Sequence, residues 1–304
     1  MKRNGEPGGD PRPLGRPIDR LMGTYALVSG TALLFPHRPA VWPALAAAHV
    51  FAALMGFGAP PIAAAWNAFA RRWPRTATVV GDWYPLILIP ALYLELALLN
   101  RSVFDGRYFD ELVLGWEARL FGGQPSRDWA AATSSLLLSE VLHAAYLSYY
   151  LIIYVPPIIL YAKGMRVEFR AAVFTVMLTF FAHYVFFIYF PVQGPRYLFP
   201  APGGALAGGF FYQLAHTILE AGSSQGAAFP SSHVGVSLAQ AIATGRAIPA
   251  LGPVLIVLTT GLALGAVYGG FHYATDALLG ALLGLAVALA APRVQRLLNG
   301  RSCR

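Results

Sequence analysis

Residues 231–280 read SSHVGVSLAQAIATGRAIPALGPVLIVLTTGLALGAVYGGFHYATDALLG. His233 stands near the start and His272 near the end, 39 residues apart. Between them lie two apolar stretches, 232–248 and 251–268, parted by the turn-forming segment RAIPALGP. An α-helix rises 1.5 Å per residue, and about 20 apolar residues cross a bilayer. Two such passes return the chain to the face it left, so the two imidazoles are expected at similar depth. Asp276 follows His272 by four residues, one turn along the same helix face. An unpaired carboxylate is costly at that depth, and an imidazole N–H of His272 is its natural partner. That bond would orient the ring and leave the other nitrogen free to attack, the orienting logic of a catalytic triad with histidine as nucleophile.

The rest of the chain supports a membrane setting. Of 304 residues, 57% are hydrophobic and only 12% charged, with mean hydropathy +0.55. A soluble domain carries about 25% charged residues. The formal net charge of +8 would suggest nucleic acid for a soluble protein. In a membrane protein Lys and Arg collect on cytoplasmic loops, and no nucleic-acid partner is expected. Cys303 is the single cysteine, so neither an internal disulfide nor a cysteine metal site is expected.

Apolar runs predict an all-α polytopic bundle of about eight spans: 21–35, 41–65, 83–99, 136–161, 169–190, 232–248, 251–268 and 274–291. Residues 1–20, rich in Gly, Pro and Arg, read as a disordered cytoplasmic tail without the pattern of a cleaved secretory signal. Residues 21–80 would form an accessory pair of spans, and 81–304 a six-helix catalytic core. With the N-terminus inside, 16 of the 22 Lys and Arg fall on inner segments. The positive-inside rule then sets both termini in the cytoplasm and the two histidines on the outer face; a bacterial plasma membrane is the expected location.

Two outer segments are long. Within RYFDELVLGWEARLFG, near 107–121, Phe109, Leu112, Val113, Trp116 and Leu120 recur at helical spacing, opposite Asp110, Glu111 and Glu117. This pattern fits an amphipathic helix on the outer membrane surface, or a helix packed over the span ends. The second segment, 191–230, is long for an ordinary loop and suggests a functional element. Arg196 is its one Lys or Arg. A guanidinium binds phosphate oxygens through paired donors, and the helix starts at 232 and 274 add free backbone N–H groups suited to an anion. Ser231, with Ser232 beside it, is a helix cap or a further phosphate donor. In SEVLHAAYLSYY, Glu140, His143 and Tyr146 suit binding of a polyol headgroup or, equally, helix packing.

PSSH (230–233) followed by HYATD (272–276), with GPRY (194–197) upstream, resembles the signature motifs of the phosphatidic acid phosphatase type 2 superfamily. The resemblance implies that His272 attacks phosphorus to form a phosphohistidine and Asp276 orients it. It implies that His233 protonates the leaving oxygen and then activates the acceptor, that Arg196 and Ser231 bind phosphate oxygens, and that no metal or other cofactor takes part. The implied substrates are membrane lipids: phospholipid, polyprenyl or sphingolipid phosphates. The sequence departs from the family pattern in four places. Tyr189 stands where the first motif has Lys, Tyr197 where it has Pro, and Gly265 and Ala266 where the third motif has Ser-Arg. Fewer cations suit a phosphodiester, which tilts the resemblance toward headgroup transferases such as inositol phosphorylceramide synthase. Three alternatives stand beside it: a simple lipid phosphomonoesterase, a non-catalytic lipid-headgroup binder or transporter, and a metal-dependent hydrolase using His233, His272 and Asp276 as ligands.

Overall fold

The computed structural model describes residues 14–133 and 135–299. Among the described residues the fold is all-helical, 80% helix with no strand. The expected tail reaches from 1 to 20; residues 1–13 lie outside the described residues, and helix α1 (Pro17–Gly30) already holds 17–20.

The N-terminal part comprises α1, α2 (Trp42–Gly56) and α3 (Pro60–Arg72). Helix α1 begins at a proline, whose missing N–H is unneeded in a first turn. Its start is tied down by Asp19, which accepts from the Arg16 guanidinium at 2.9 Å and the Tyr84 hydroxyl at 2.8 Å. Next come α4 (Pro74–Leu94) and α5 (Leu96–Phe104), then two short helices, α6 (Asp110–Phe121) and α7 (Pro125–Ala132). Helices α8 (Leu136–Leu147) and α9 (Tyr149–Ala162) form one run bent by 41°. After them come α10 (Arg166–Tyr189), α11 (Pro195–Leu198), α12 (Phe210–Gly222), α13 (Ser232–Ala247), α14 (Leu251–Tyr268) and α15 (Ala274–Leu298).

Among the described residues, four helices, α4, α10, α14 and α15, are long and apolar enough to cross a membrane, and the bent pairs α2–α3 and α8–α9 raise the number to six if each is one span. The remaining expected spans correspond to shorter helices, α1 and α13. The expected span 83–99 runs across the break between α4 and α5 at Glu95.

Helix α10 is the centre of the bundle. It is apolar on every side, with Phe169, Phe174, Phe180 and Phe187 essentially fully buried, as expected of a helix surrounded by protein. Helices α13 and α15 cross against it and touch each other almost backbone to backbone. A side chain at Gly280 would run into the Ser231 carbonyl, and one at Gly284 into the Gly235 carbonyl. The spacing of Gly280 and Gly284 is the small-xxx-small pattern that lets membrane helices approach closely. His183 of α10 lies against Gly235 on the same contact, its Nδ1 bonded to the Thr179 carbonyl at 2.7 Å.

This crossing has no room to yield. Gly284→Val is expected to lower stability by about 1–3 kcal/mol, the usual cost of overpacking. A lower melting temperature in detergent, with loss of turnover, is the expected readout; unchanged melting would show that the helices can separate freely.

Candidate active site

The sequence places His233 in the first turn of α13, and His272 in the short linker between α14 and α15. The fold brings them together. His272 Nε2 lies 3.3 Å from His233 Nδ1, and His272 Nδ1 lies 3.3 Å from Asp276 Oδ2. The three groups form a line, carboxylate to imidazole to imidazole. Asp276 is fully buried, and its Oδ2 also accepts the Tyr273 backbone N–H at 3.0 Å. With Nδ1–H donated to the carboxylate, Nε2 of His272 carries the lone pair. Burial lowers the His272 pKa to about 4, which keeps this ring neutral, as a nucleophile requires.

Tyr146 joins the line at its far end, with its hydroxyl 3.5 Å from His233 Nε2. Tyr149 packs on the same imidazole, ring centroids 4.4 Å apart. A small pocket of about 30 Å³ opens at the two histidines, with Tyr146, Arg196, Tyr197 and Ser223 also in its wall.

Arg196 arrives by a separate device. The segment before it pairs with the segment before α13: Val192 N–H donates to Gly226 and Ala228 N–H to Val192, at 3.2 and 3.0 Å. Gly194 adopts φ +92°, a left-handed conformation open to glycine, and the chain then turns into α11 with Arg196 in its single turn. The Arg196 guanidinium lies 5.0 Å from the Tyr197 ring centroid, and its Nη1 is buried with no partner among the described residues. An unpaired buried guanidinium N–H beside two histidines suits an oxyanion.

The other expected phosphate and headgroup ligands are held by bonds within the protein. Ser231 is fully buried as the N-cap of α13, its hydroxyl accepting from Val234 N–H and its own N–H bonded to the Asp276 carbonyl at 2.9 Å. Ser232 is buried as well. Neither serine is among the described residues lining the small pocket; Ser231 instead ties α13 to α15. Glu140 accepts from the backbone N–H groups of Phe211 and Tyr212, both at 3.1 Å, and so caps α12. His143 is buried, with Nδ1 on the Ser139 carbonyl at 2.7 Å and its ring among Tyr212, His216 and Phe271.

The sequence pattern assigned Asp110 and Glu117 to a water-facing side of α6, and the structure reverses this. Both are buried along with Val113, while Leu112 and Leu120 are exposed. Asp110 accepts from the backbone N–H groups of Gln193 and Gly194, each at 2.9 Å, and from the Tyr273 hydroxyl at 3.1 Å. Glu117 accepts from Thr275 N–H at 2.7 Å. Thus α6 lies over the span ends and links the Arg196 segment to the His272 segment. Carboxylates prefer such donors to water when a helix start and a turn present several unpaired N–H groups together. Seven-residue spacing of the two acids is the one signal of a shared face.

The structure also accounts for the departures from the motif pattern. The Tyr189 hydroxyl bonds to Thr31 and to the Val28 carbonyl, so this position docks α1 instead of facing the pocket. At Gly265 a side chain would strike the Leu142 carbonyl, and Ala266 is fully buried beside Tyr146 and Phe271. An arginine has no space there because α8 occupies it.

Residues 112–290 match the family model of the PAP2 superfamily, and the chain belongs to that superfamily. No curated protein and no solved structure matches it. Membership, with the apolar helices, points to a membrane protein with a function of the lipid phosphatase or phosphotransferase type.

Two outcomes follow from the geometry. Asp276→Asn keeps the shape but removes the charge that fixes the His272 tautomer, and turnover of a lipid phosphate is expected to fall about 10²–10⁴-fold. Asp110→Asn is expected to lower kcat about tenfold to a hundredfold by loosening the Arg196 segment, with the melting temperature measured alongside. Full activity in Asp110→Asn would remove α6 from any role in the site.

Proposed function

We propose that the chain is an integral-membrane enzyme that moves a phosphorylated lipid headgroup through a phosphohistidine on His272. The observation that carries this reading is the Asp276–His272–His233 line, with a buried, unpartnered Arg196 N–H beside it. A phosphate ester enters between the two imidazoles and replaces their mutual hydrogen bond. His272 Nε2 forms the bond to phosphorus as the P–O bond to the leaving group breaks. The leaving oxygen takes its proton from His233. Arg196 and the start of α13 take up the charge on the phosphoryl oxygens. In the second half, an acceptor hydroxyl gives its proton to His233 and attacks phosphorus, and the P–N bond breaks.

The scarcity of cations favours a phosphodiester over a phosphomonoester. Tyr189 and Ala266 remove the two further basic positions of the motif pattern, and α8 fills the space that an arginine at 266 would need. We therefore read the chain as an inositol-phosphate-transferase-like headgroup transferase, with water as the competing acceptor. The charge distribution supports eight crossings, both termini in the cytoplasm and a site on the outer face.

Mass spectrometry of the protein quenched during turnover tests the proposal. A phosphorylated His272 that retains its headgroup ester supports transfer, whereas bare phosphate supports a phosphatase. Equal turnover by wild type and His272→Ala, with no adduct, overturns both. For His233→Ala, loss of about 10²–10⁴-fold is expected with an alkyl leaving group and much less with a p-nitrophenyl ester, whose leaving oxygen needs no proton.

A further inference from the structure

The pocket at the two histidines, about 30 Å³, has room for little more than a phosphoryl group. Beside it lies a second cavity of about 400 Å³, between α7, the segment that follows Arg196, and α12. Arg196 lines both, and the second reaches Gly269 and Gly270, just ahead of His272. Whatever is esterified to a phosphate at His272 has this cavity as its adjoining space.

Its lining carries unfilled hydrogen-bonding capacity. Ser126 is 2% exposed, and its Oγ has no partner among the described residues. The same holds for Arg196 Nη1 and His216 Nε2. Three such atoms around one cavity are unusual, because buried polar groups are nearly always paired. Burial, then the neighbouring His143 and Arg196, lower His216 to about 4, so it is a neutral hydrogen-bonding group. Arg127 and Glu220 complete the polar lining, and Glu220 is exposed. Two guanidiniums against one carboxylate favour an anion and oppose an ammonium headgroup. Pro195, Pro200 and Pro202 in the wall restrict its backbone, which lowers the ordering cost of binding.

We infer that this cavity is a headgroup chamber for a hydroxyl-rich phosphate ester, with Ser126, His216 and Glu220 as its specificity residues. This assignment rests on the headgroup-transfer reading above and adds to it the residues that would select the headgroup. Hydroxyls of the headgroup pair with Ser126, His216 and Glu220, while Arg196 and Arg127 hold the phosphate.

The test is a binding measurement on the full chain in nanodiscs, carrying His272→Ala to prevent turnover. Calorimetry compares myo-inositol 1-phosphate, inorganic phosphate and phosphoethanolamine. The polyol phosphate is expected to bind about tenfold or more tightly than inorganic phosphate, because a site built to pair with hydroxyls discriminates against ligands lacking them. Adding Glu220→Gln, an exposed position that does not threaten folding, is expected to cut that preference to about threefold or less, with inorganic phosphate binding as tightly as before or more tightly because one negative charge has gone. Ser126→Ala, checked by melting temperature, is expected to act in the same direction. Equal binding of polyol phosphate and inorganic phosphate overturns the chamber, as does a preference for phosphoethanolamine or a preference untouched by Glu220→Gln. Failure of the transfer reading is seen separately, as a missing His272 adduct, because the binding preference does not depend on turnover.

Discussion

The near-contact of α13 and α15 sets everything else in this protein. Gly235, Gly280 and Gly284 let the two backbones meet, and Ser231 N–H donates to the Asp276 carbonyl across the junction. The first turn of α13 is thereby locked to the first turn of α15. His233 belongs to one of these turns and His272 immediately precedes the other, so their 3.3 Å separation follows from the helix crossing. Were either helix start displaced by one side chain's width, the imidazoles would lose contact. The glycines thus hold the two imidazoles together, although none of them touches the small pocket.

A second layer fixes the loops that the crossing alone leaves free. Helix α6 uses Asp110 to gather the turn before Arg196 and the hydroxyl of Tyr273, and Glu117 to satisfy the start of α15. These carboxylates replace water as partners for the backbone donors of Gln193, Gly194 and Thr275. Buried charges that accept several N–H bonds hold such turns more firmly than apolar packing would. On the cationic side, Arg196 Nη1 is left without a partner among the described residues.

Much of the fold and part of the site could be read from residue order. The membrane class follows from composition, and the shared face of His233 and His272 from the 39 residues between them. The Asp276–His272 pair follows from helical spacing, and the structure has it at 3.3 Å. The inward turn of Asp110 and Glu117 was not legible. A pattern of alternating polar and apolar residues sends acids to water unless donors are known to wait on the other side, and here those donors come from residues up to 163 positions away. For Glu140, residue order leaves headgroup binding and helix packing equally open, and in the structure both its oxygens bond the start of α12. Tyr146 lies in the small pocket with its hydroxyl 3.5 Å from His233 Nε2, a contact that local spacing does not foretell.

What residue order determined by itself was which segments are apolar, how long they are and which charged groups share a helix face. These are local quantities, set by periodicity and by the cost of leaving polar groups in lipid. The tertiary structure alone decided which nitrogen of His272 faces Asp276 and which faces His233. It also decided that α8 fills the space of the absent arginine, and that a large cavity lined by Ser126, Arg127, His216 and Glu220 among apolar residues adjoins a very small one. Those outcomes depend on competition among donors, acceptors and volumes brought together from distant parts of the chain. No local pattern records the result of that competition, because each group's best partner exists only once the helices have packed.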